Sequence, residues 1–538
     1  VKSYQFYQAS FLWRVASYGV AGLVLLPILT VFAAWALPVA DHWDHIVSTM
    51  LTRLISNSVK LVIGVLIGTA VLGVVLAWFV TQYRFPGQVF FRKALLLPLA
   101  IPAYVTGFVY VGLLDYAGPL PTLIRDLTDS RVELPDIRST VGVIGILSLT
   151  LYPYVFLIVK NAFESQGRHM IEAGRSLGHS MPQIFFRLAI PMALPWLLGA
   201  LSLVGMETLA DFGTVSIFVY DTFTTAIYKA WYGFFSPTTA AQLASLLLVP
   251  IACFYVIEQW IKKRQRYATG LTRQVEKLSL SGWRKWAVSS LCGLVFTLGF
   301  VVPAGQLLIW SGQQLATIEF GELVELSWHS GLLGVMTAVT VLLGALIVIF
   351  SYRFFQLPRL HVANRVASLG YALPGSVLAI GLYLPMMGID QTVAGLMQSW
   401  FGWEAGLWLT GSLAIMVIGL SIRFMAVAHA VLYAGQQRIS GRLDEAAANH
   451  GFYGIRQLWN VHLPLLKKPI ITAFILVFVD VIKEMPLTLM TRPFGWNTLS
   501  VRIFEFISEG EWQRAAVPGL IMIIISTIPV LVMDREDT

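Results

Sequence analysis

Glu172-Ala173-Gly174, then Gly178, then Leu188-Ala189-Ile190-Pro191 forms one polar interlude of this chain. Glu445-Ala446-Ala447, then Gly451, then Val461-His462-Leu463-Pro464 forms a second. From Glu172 to Glu445, from Gly178 to Gly451 and from Pro191 to Pro464 the step is 273 residues each time. Glu-Ala-Ala and Glu-Ala-Gly are compact and mostly helix-compatible. The glycine that follows permits a left-handed turn, so one short helix can end there and another begin at an angle. Ile184, Phe185 and Leu188, matched by Ile455, Leu458 and Val461, give the next stretch an apolar face. The closing proline suits a first-turn position where the chain re-enters the membrane. Each copy is therefore expected to be a helix–turn–helix across one membrane face, and two copies suggest a docking surface made twice.

The rest of the chain sets the environment of these elements. Of 538 residues, 57% are hydrophobic and 12% charged, about half the charge of a soluble domain. Apolar runs long enough to cross a bilayer as helices recur throughout. The expected fold is an all-α membrane protein of about 12 transmembrane helices in two homologous six-helix halves. The spans are placed near 17–40, 59–80, 95–114, 139–160, 193–216 and 239–261, then 286–310, 329–351, 366–388, 406–428, 469–491 and 515–533. The third and ninth are interrupted by Pro98, Pro102, Pro374 and Pro385. The first apolar run, Tyr18 to Leu37, is too long for a signal-peptide core and is read as a retained span.

This gives a first half over 1–261 with a loop at 163–191, a basic linker at 262–285, and a second half over 286–538 with a loop at 436–464. Placing both termini in the cytoplasm puts most of the 37 Lys and Arg there, as the positive-inside rule requires. The linker alone holds Lys262, Lys263, Arg264, Arg266, Arg273, Lys277, Arg284 and Lys285. Its charge anchors the topology, and a pI of 9.3 carries no implication of nucleic acid. Cys253 and Cys292 read as small apolar residues of the membrane region, without a disulfide.

The same 273-residue step pairs Glu207 with Asp480 and Asp211 with Glu484. Each fifth span thus carries two acids four residues apart, on one helix face and about 6 Å apart along the axis. A carboxylate in a membrane helix costs about 2.5 kcal/mol or more and tends to mark a pathway. The four acids are candidates for lining a translocation path for a hard cation. The alternative is structural: Lys483 and Arg423 pair with them, or they end a helix where Gly213 and Pro486 break it. No metal site is fixed by spacing. Asp41-His42-Trp43-Asp44-His45 holds ligand types but reads as an external loop with an interfacial Trp.

The spacing Glu-Ala-Ala, three residues, Gly, nine residues, apolar, one residue, apolar-Pro resembles the EAA signature of ABC importer permeases, with Gly174 in place of the second Ala. The stretches Met206 to Val215 with Tyr220 to Ile227, and Asp480 to Leu489 with Arg492-Pro493-Phe494, resemble the fused two-domain permeases of ferric iron uptake. The resemblance covers essentially the whole chain. It implies that Glu172, Ala173, Gly174, Gly178, Pro191, Glu445, Ala446, Ala447, Gly451 and Pro464 seat coupling helices in ATP-hydrolysing subunits. No G-x-x-x-x-G-K-[ST] phosphate loop occurs. ATP hydrolysis is therefore expected from a separate ATPase, in two copies, which carries the ATP and Mg. This chain is expected to need no cofactor and to catalyse no bond chemistry. Cargo would arrive on a periplasmic or extracellular binding protein at the bacterial inner membrane. Thiamine or another small solute is the alternative cargo. A secondary transporter using the acids as proton sites is the alternative class.

Overall fold

The computed structural model describes residues 2–37, 42–128, 135–265, 277–314, 319–355, 358–403 and 406–533. These are helical almost throughout. The one exception in regular structure is a two-residue parallel pairing of Tyr83–Arg84 with Leu278–Ser279. Among the described residues, nine helices are long and apolar enough to cross a membrane, or ten if one sharply bent pair counts as a span. The bent pair is the expected third span. Gln88–Ala100 and Ala103–Thr128 meet at 89°, where Pro98 and Pro102 withhold backbone donors. The ninth span is shifted from 366–388: Pro374, with an extended backbone, precedes the helix Gly375–Phe401, which absorbs only Pro385.

The count of twelve is not reached by this measure. The eleventh expectation, 469–491, is a 17-residue helix, Lys467–Lys483, followed by a separate short helix, Pro486–Thr491. The twelfth falls on Trp512–Met533. Of the two cysteines, Cys292 is buried as expected, whereas Cys253 is exposed on its helix. Neither is in a disulfide.

Packing divides the chain into two compact units that do not follow the sequence halves. One comprises Val1–Trp43, Ile227–Ser245 and Ile318–Arg502; the other comprises Asp44–Ala226, Leu246–Thr317 and Ile503–Thr538. In the first unit the N-terminal helix, Lys2–Ala33, lies against Phe320–Phe355, Pro358–Val366 and Gly375–Phe401. The Ser351 hydroxyl donates to Trp13 O at 3.1 Å across this contact. In the second unit the helix Val302–Gln314 packs on Ala103–Leu114 and Trp512–Met533. Tyr110 donates to Leu298 O at 2.6 Å in the same region. The opening helix of each sequence half is therefore shared out to helices of the other half.

The end of the linker is also anchored in the second unit. Lys277 precedes the Leu278–Ser279 pairing, and Leu280 N donates to Arg84 O. The early linker residues 266–276 lie outside the described residues. Within the second unit, Leu51–Gln82 packs along Thr140–Ser176. A Cβ on Gly68 or Gly73 would meet Ser148 or Val155 within 3 Å, so small residues set how closely these helices approach.

Candidate functional site

The two polar elements adopt one local geometry, built separately in each unit. In the first, the helix Thr140–Ser176 runs unbroken from the fourth span into Glu172-Ala173-Gly174. It ends at Gly178, where φ is +76°. Leu177 N donates to Ala173 O and His179 N to Gly174 O, closing the helix end. In the second, a separate helix, Gly441–Asn449, carries Glu445-Ala446-Ala447 and ends at Gly451, where φ is +82°. His450 N donates to Ala446 O and Phe452 N to Ala447 O. A side chain at either glycine would be forced into the left-handed region. In both copies the third motif residue, Gly174 or Ala447, is buried, while the Glu and first Ala are exposed.

After Gly178 the helix runs on into the fifth span, whereas after Gly451 a turn at Leu466 divides Leu463–Leu465 from Lys467–Lys483. Met181–Ala210 passes into the fifth span as one 30-residue helix. Pro191 therefore does not open a new helix after a break. It follows a π-helical turn, Phe185–Ala189, and Pro464 follows the matching turn Leu458–His462. Both turns lie 273 residues apart, as do the prolines. A proline lacks an N–H and its ring crowds the carbonyl four residues back. Widening the preceding turn relieves both. Outward from this turn point Phe186, 67% exposed, and Trp459, 66% exposed, again at equivalent positions.

Behind that shared surface the copies are built differently. The first is apolar: Ile171, Ile184 and Ala189 are buried, and Trp78 packs on Phe163 and Phe185 with ring centroids 5.5 and 5.0 Å apart. A Cβ on Gly174 would lie 2.8 Å from Ile184 Cγ1, which explains why this copy departs from Ala. In the second copy the positions of Ile171, Ile184 and Ala189 are held by Asp444, Gln457 and His462. Arg353 donates to Asp444 Oδ2 from Nε at 2.9 Å and from Nη2 at 2.7 Å. Gln457 Nε2 donates to Asp444 Oδ1 at 2.9 Å. His462 Nε2 lies 2.9 Å from the same oxygen, close enough for charge contact but not aligned as a hydrogen bond. Burial holds the His462 ring below the ordinary imidazole pKa, with Asp444 opposing.

The acids of the fifth spans divide into two kinds. The helix ends at Ala210 in one unit and at Lys483 in the other. Asp211 and Glu484 follow, with extended backbones at φ/ψ of −64/127° and −71/122°. Each caps the short helix beyond. Asp211 Oδ1 accepts from Val215 N at 3.0 Å and Oδ2 from Thr214 Oγ1 at 2.9 Å. Glu484 Oε1 accepts from Leu487 N at 3.0 Å, and Oε2 from Thr488 N and Oγ1, both at 3.1 Å. Gly375 makes room for the latter carboxylate: a Cβ there would lie 2.4 Å from Glu484 Oε1. Glu207 and Asp480 sit one turn earlier, on the helices themselves, and both are half-buried. Lys483 Nζ is 3.9 Å from Asp480 Oδ1, at the limit of an ion pair.

The loop beyond each break is repeated as well, a feature the 273-residue step does not reach. Thr224 Oγ1 donates to Asp211 O at 2.7 Å, and Ser500 Oγ to Glu484 O at 2.8 Å. Thr222 and Thr224 bond each other at 3.0 Å, as do Thr498 and Ser500 at 3.2 Å. Asn57 donates to Asp221 O, and His329 Nδ1 lies 3.1 Å from Asn497 O. Here the step is 276 residues, so the second copy is three residues longer between the cap and the threonine. Of the Asp41–His45 cluster, Asp41 lies outside the described residues. No group of three or more metal-ligating side chains occurs among the described residues.

Comparison with known proteins places this geometry. Residues 69–267 and 360–535 match a family described as the binding-protein-dependent transport system inner membrane component. The chain is 27% identical over 495 residues to the Fe(3+)-transport system permease protein FbpB 2 of Haemophilus influenzae, covering 90% of each. It is 23% identical to the ferric transport system permease protein FbpB of Actinobacillus pleuropneumoniae, covering 90% of this chain and 71% of that one. A sulfate transport system permease protein CysT of Salmonella typhimurium is 26% identical over 179 residues, 33% of this chain.

Proposed function

Because this chain belongs to the binding-protein-dependent transport system inner membrane components, we propose that it is the translocating subunit of an ATP-driven importer for ferric iron. The family is a transport family of the inner membrane and works with a solute-binding protein, as its description says. The finer reading is that two copies of a separate ATPase, carrying ATP and Mg, seat on Glu172–Pro191 and Glu445–Pro464. The observation that carries it is the twofold surface: left-handed Gly178 and Gly451, the π-helical turns, and outward Phe186 and Trp459, all at one spacing. Aromatic side chains of this kind are the usual anchors of a protein interface. Both termini and both docking elements lie on the cytoplasmic side in this reading. The halves 1–261 and 286–538, joined by 262–285, are the two repeats of the importer.

Ferric iron as the cargo rests on the two relatives named for it, which match nearly the whole chain. In this reading Glu207 and Asp480 meet the passing cargo, and Asp211 and Glu484 hold the helix breaks behind them. ATP closure of the ATPase pair then moves the two docking elements and the fifth spans that follow them, a rigid-element cycle. The deciding experiment is uptake by proteoliposomes holding this chain, the ATPase and the binding protein. ATP-dependent accumulation of ferric iron is expected. Uptake of thiamine or sulfate in its place would overturn the cargo, and uptake driven by an ion gradient without the ATPase would overturn the class.

A further inference from the structure

The two docking elements share an outer surface but are tied to their spans in different ways. In the first, the helix bearing Glu172 is the direct continuation of the fourth span, Thr140–Ser176. In the second, the fourth-span counterpart ends at Gln437, and a new helix starts after Ser440, whose hydroxyl accepts from Arg442 N. A break at 438–440 therefore lies between the span and its docking helix. One side chain closes it. Arg353, at the end of Phe320–Phe355, donates to Gln436 O at 3.1 Å and to Ile439 O at 3.0 Å on the span side. With Nε and Nη2 it holds Asp444 on the docking-helix side. Arg353 thus adds a second donor to Gln436 O, which Ile439 N already meets, and supplies one to Ile439 O within the break. Asp444 sits in the first turn of its own helix, where negative charge is favoured.

At the matching place in the first copy nothing of the kind exists among the described residues. The 273-residue step from Arg353 falls on buried Val80 of Leu51–Gln82, and the adjacent Thr81 hydroxyl turns back to Ala77 O and Trp78 O of its own helix. The partner position holds buried Ile171. An unbroken helix needs no tie, so an apolar contact suffices. A broken one must be oriented, and a planar guanidinium with four directed bonds fixes direction as well as distance.

We propose that Asp444 is a positioning residue: clamped by Arg353, it sets the angle of the second docking helix, so the two ATPase footholds are mechanically unlike, one a rigid rod and the other a hinged joint. This rests on the reading that these elements receive the ATPase. The pair is partly buried, with Arg353 15% and Asp444 28% exposed, so water screens it only in part. Gln457 fixes the other carboxylate oxygen, and Phe350, Leu458 and Leu466 form the apolar floor beneath.

The test uses the complete transporter with its ATPase and binding protein in proteoliposomes, with ferric iron as cargo. The readout is ATP hydrolysed per iron taken up, alongside the thermal midpoint and the amount of ATPase retained on purification. Asp444→Asn is expected to raise the ratio about fivefold while the ATPase stays bound, and Asp444→Glu to return it to within about twofold of the parent. Arg353→Lys keeps the charge but not the fork, so it is expected to uncouple nearly as far. The double variant should be no worse than either single one. Should Asp444→Asn not fold, Arg353→Lys decides. An unchanged ratio in these variants, or one that merely follows lost thermal stability, overturns the proposal. Glu172→Ala with Glu445→Ala separates it from the underlying reading. If that pair also leaves both ratio and ATPase binding untouched, the docking reading itself has failed; if it uncouples and the clamp variants do not, only the clamp has.

Discussion

Replacing Gly375 by Ala tests whether the acid after the second fifth span holds shape. The added Cβ would lie 2.4 Å from Glu484 Oε1 and 3.0 Å from Leu487 N. The carboxylate would have to withdraw by roughly half an ångström or more, and its bonds to Leu487 and Thr488 already stand at 3.0–3.1 Å, so they would stretch past useful range. Hydrogen bonds to a charged acceptor contribute about 1.5–3 kcal/mol each, and buried donors left unmet cost more. The helix start gains at most about 1 kcal/mol from Ala. A net loss of about 2–4 kcal/mol is therefore expected. Glu484→Gln should cost about 1–3 kcal/mol, because an amide can accept from one donor but presents a second donor to the other. The two changes strike the same bonds, so the double variant should be less destabilised than the sum by about 1 kcal/mol or more. Thermal or denaturant unfolding of the purified protein in detergent, followed by tryptophan fluorescence, measures all three. Full additivity, or a Gly375→Ala variant as stable as the parent, would refute the capping argument.

The other acid of each pair should behave in the opposite way: Glu207→Gln with Asp480→Asn is expected to leave the unfolding midpoint nearly unchanged and to lower iron uptake at least about tenfold. Gly178→Ala and Gly451→Ala place a Cβ in open space but at φ of +76° and +82°, so each should cost about 1–2 kcal/mol of backbone strain without steric clash; a deletion of ATPase binding with no loss of stability would contradict this. His462, whose pKa is depressed by burial, binds its proton more readily in the unfolded chain. Above the ordinary imidazole value it is neutral in both states and contributes no pH dependence. Below that value stability should fall by up to about 1.4 kcal/mol per pH unit until the folded ring is itself protonated. His462→Ala, the residue of the first copy, should flatten that acid limb in a pH series of unfolding midpoints.

Much of this architecture was legible because it rests on period and spacing. Apolar runs located the long helices, and a repeated step of 273 residues located both polar helix–turn elements and both acid pairs. What the sequence left open was decided by bonds that period does not encode. Pro98 and Pro102 bent the third span through 89°, whereas Pro385 was absorbed in a continuous helix; the residue alone does not say which, since the outcome depends on whether neighbours satisfy the freed carbonyl. Pro191 and Pro464 both follow π-helical turns, which widen the helix around the missing donor; the first helix then runs on, while the second breaks at Leu466. For Asp211 and Glu484 the sequence allowed two readings, a shared helix face with Glu207 and Asp480 or a helix end at Gly213 and Pro486, and the second holds. Only the extended backbone after Ala210 and Lys483 turns them into caps.

The repeat register also carried a signal that a search for identity passes over. At a fixed step, Asp444, Gln457 and His462 stand where Ile171, Ile184 and Ala189 stand, and these look like ordinary drift between duplicated halves. They are one coordinated exchange: Gln457 and His462 both contact the Asp444 carboxylate, and Arg353 supplies the charge that lets it be partly buried. A lone acid at position 444 would be costly there, and a lone Arg353 would leave its fork unfilled. The broken helix at 438–440 and the polar cluster thus require one another. Where one copy of a duplicated element is a continuous rod, it can be held by shape alone; where the other is jointed, its angle must be held by directed bonds. The differences between the copies, more than their likeness, therefore mark the joint at 438–440 as the place where the two elements depart from one another.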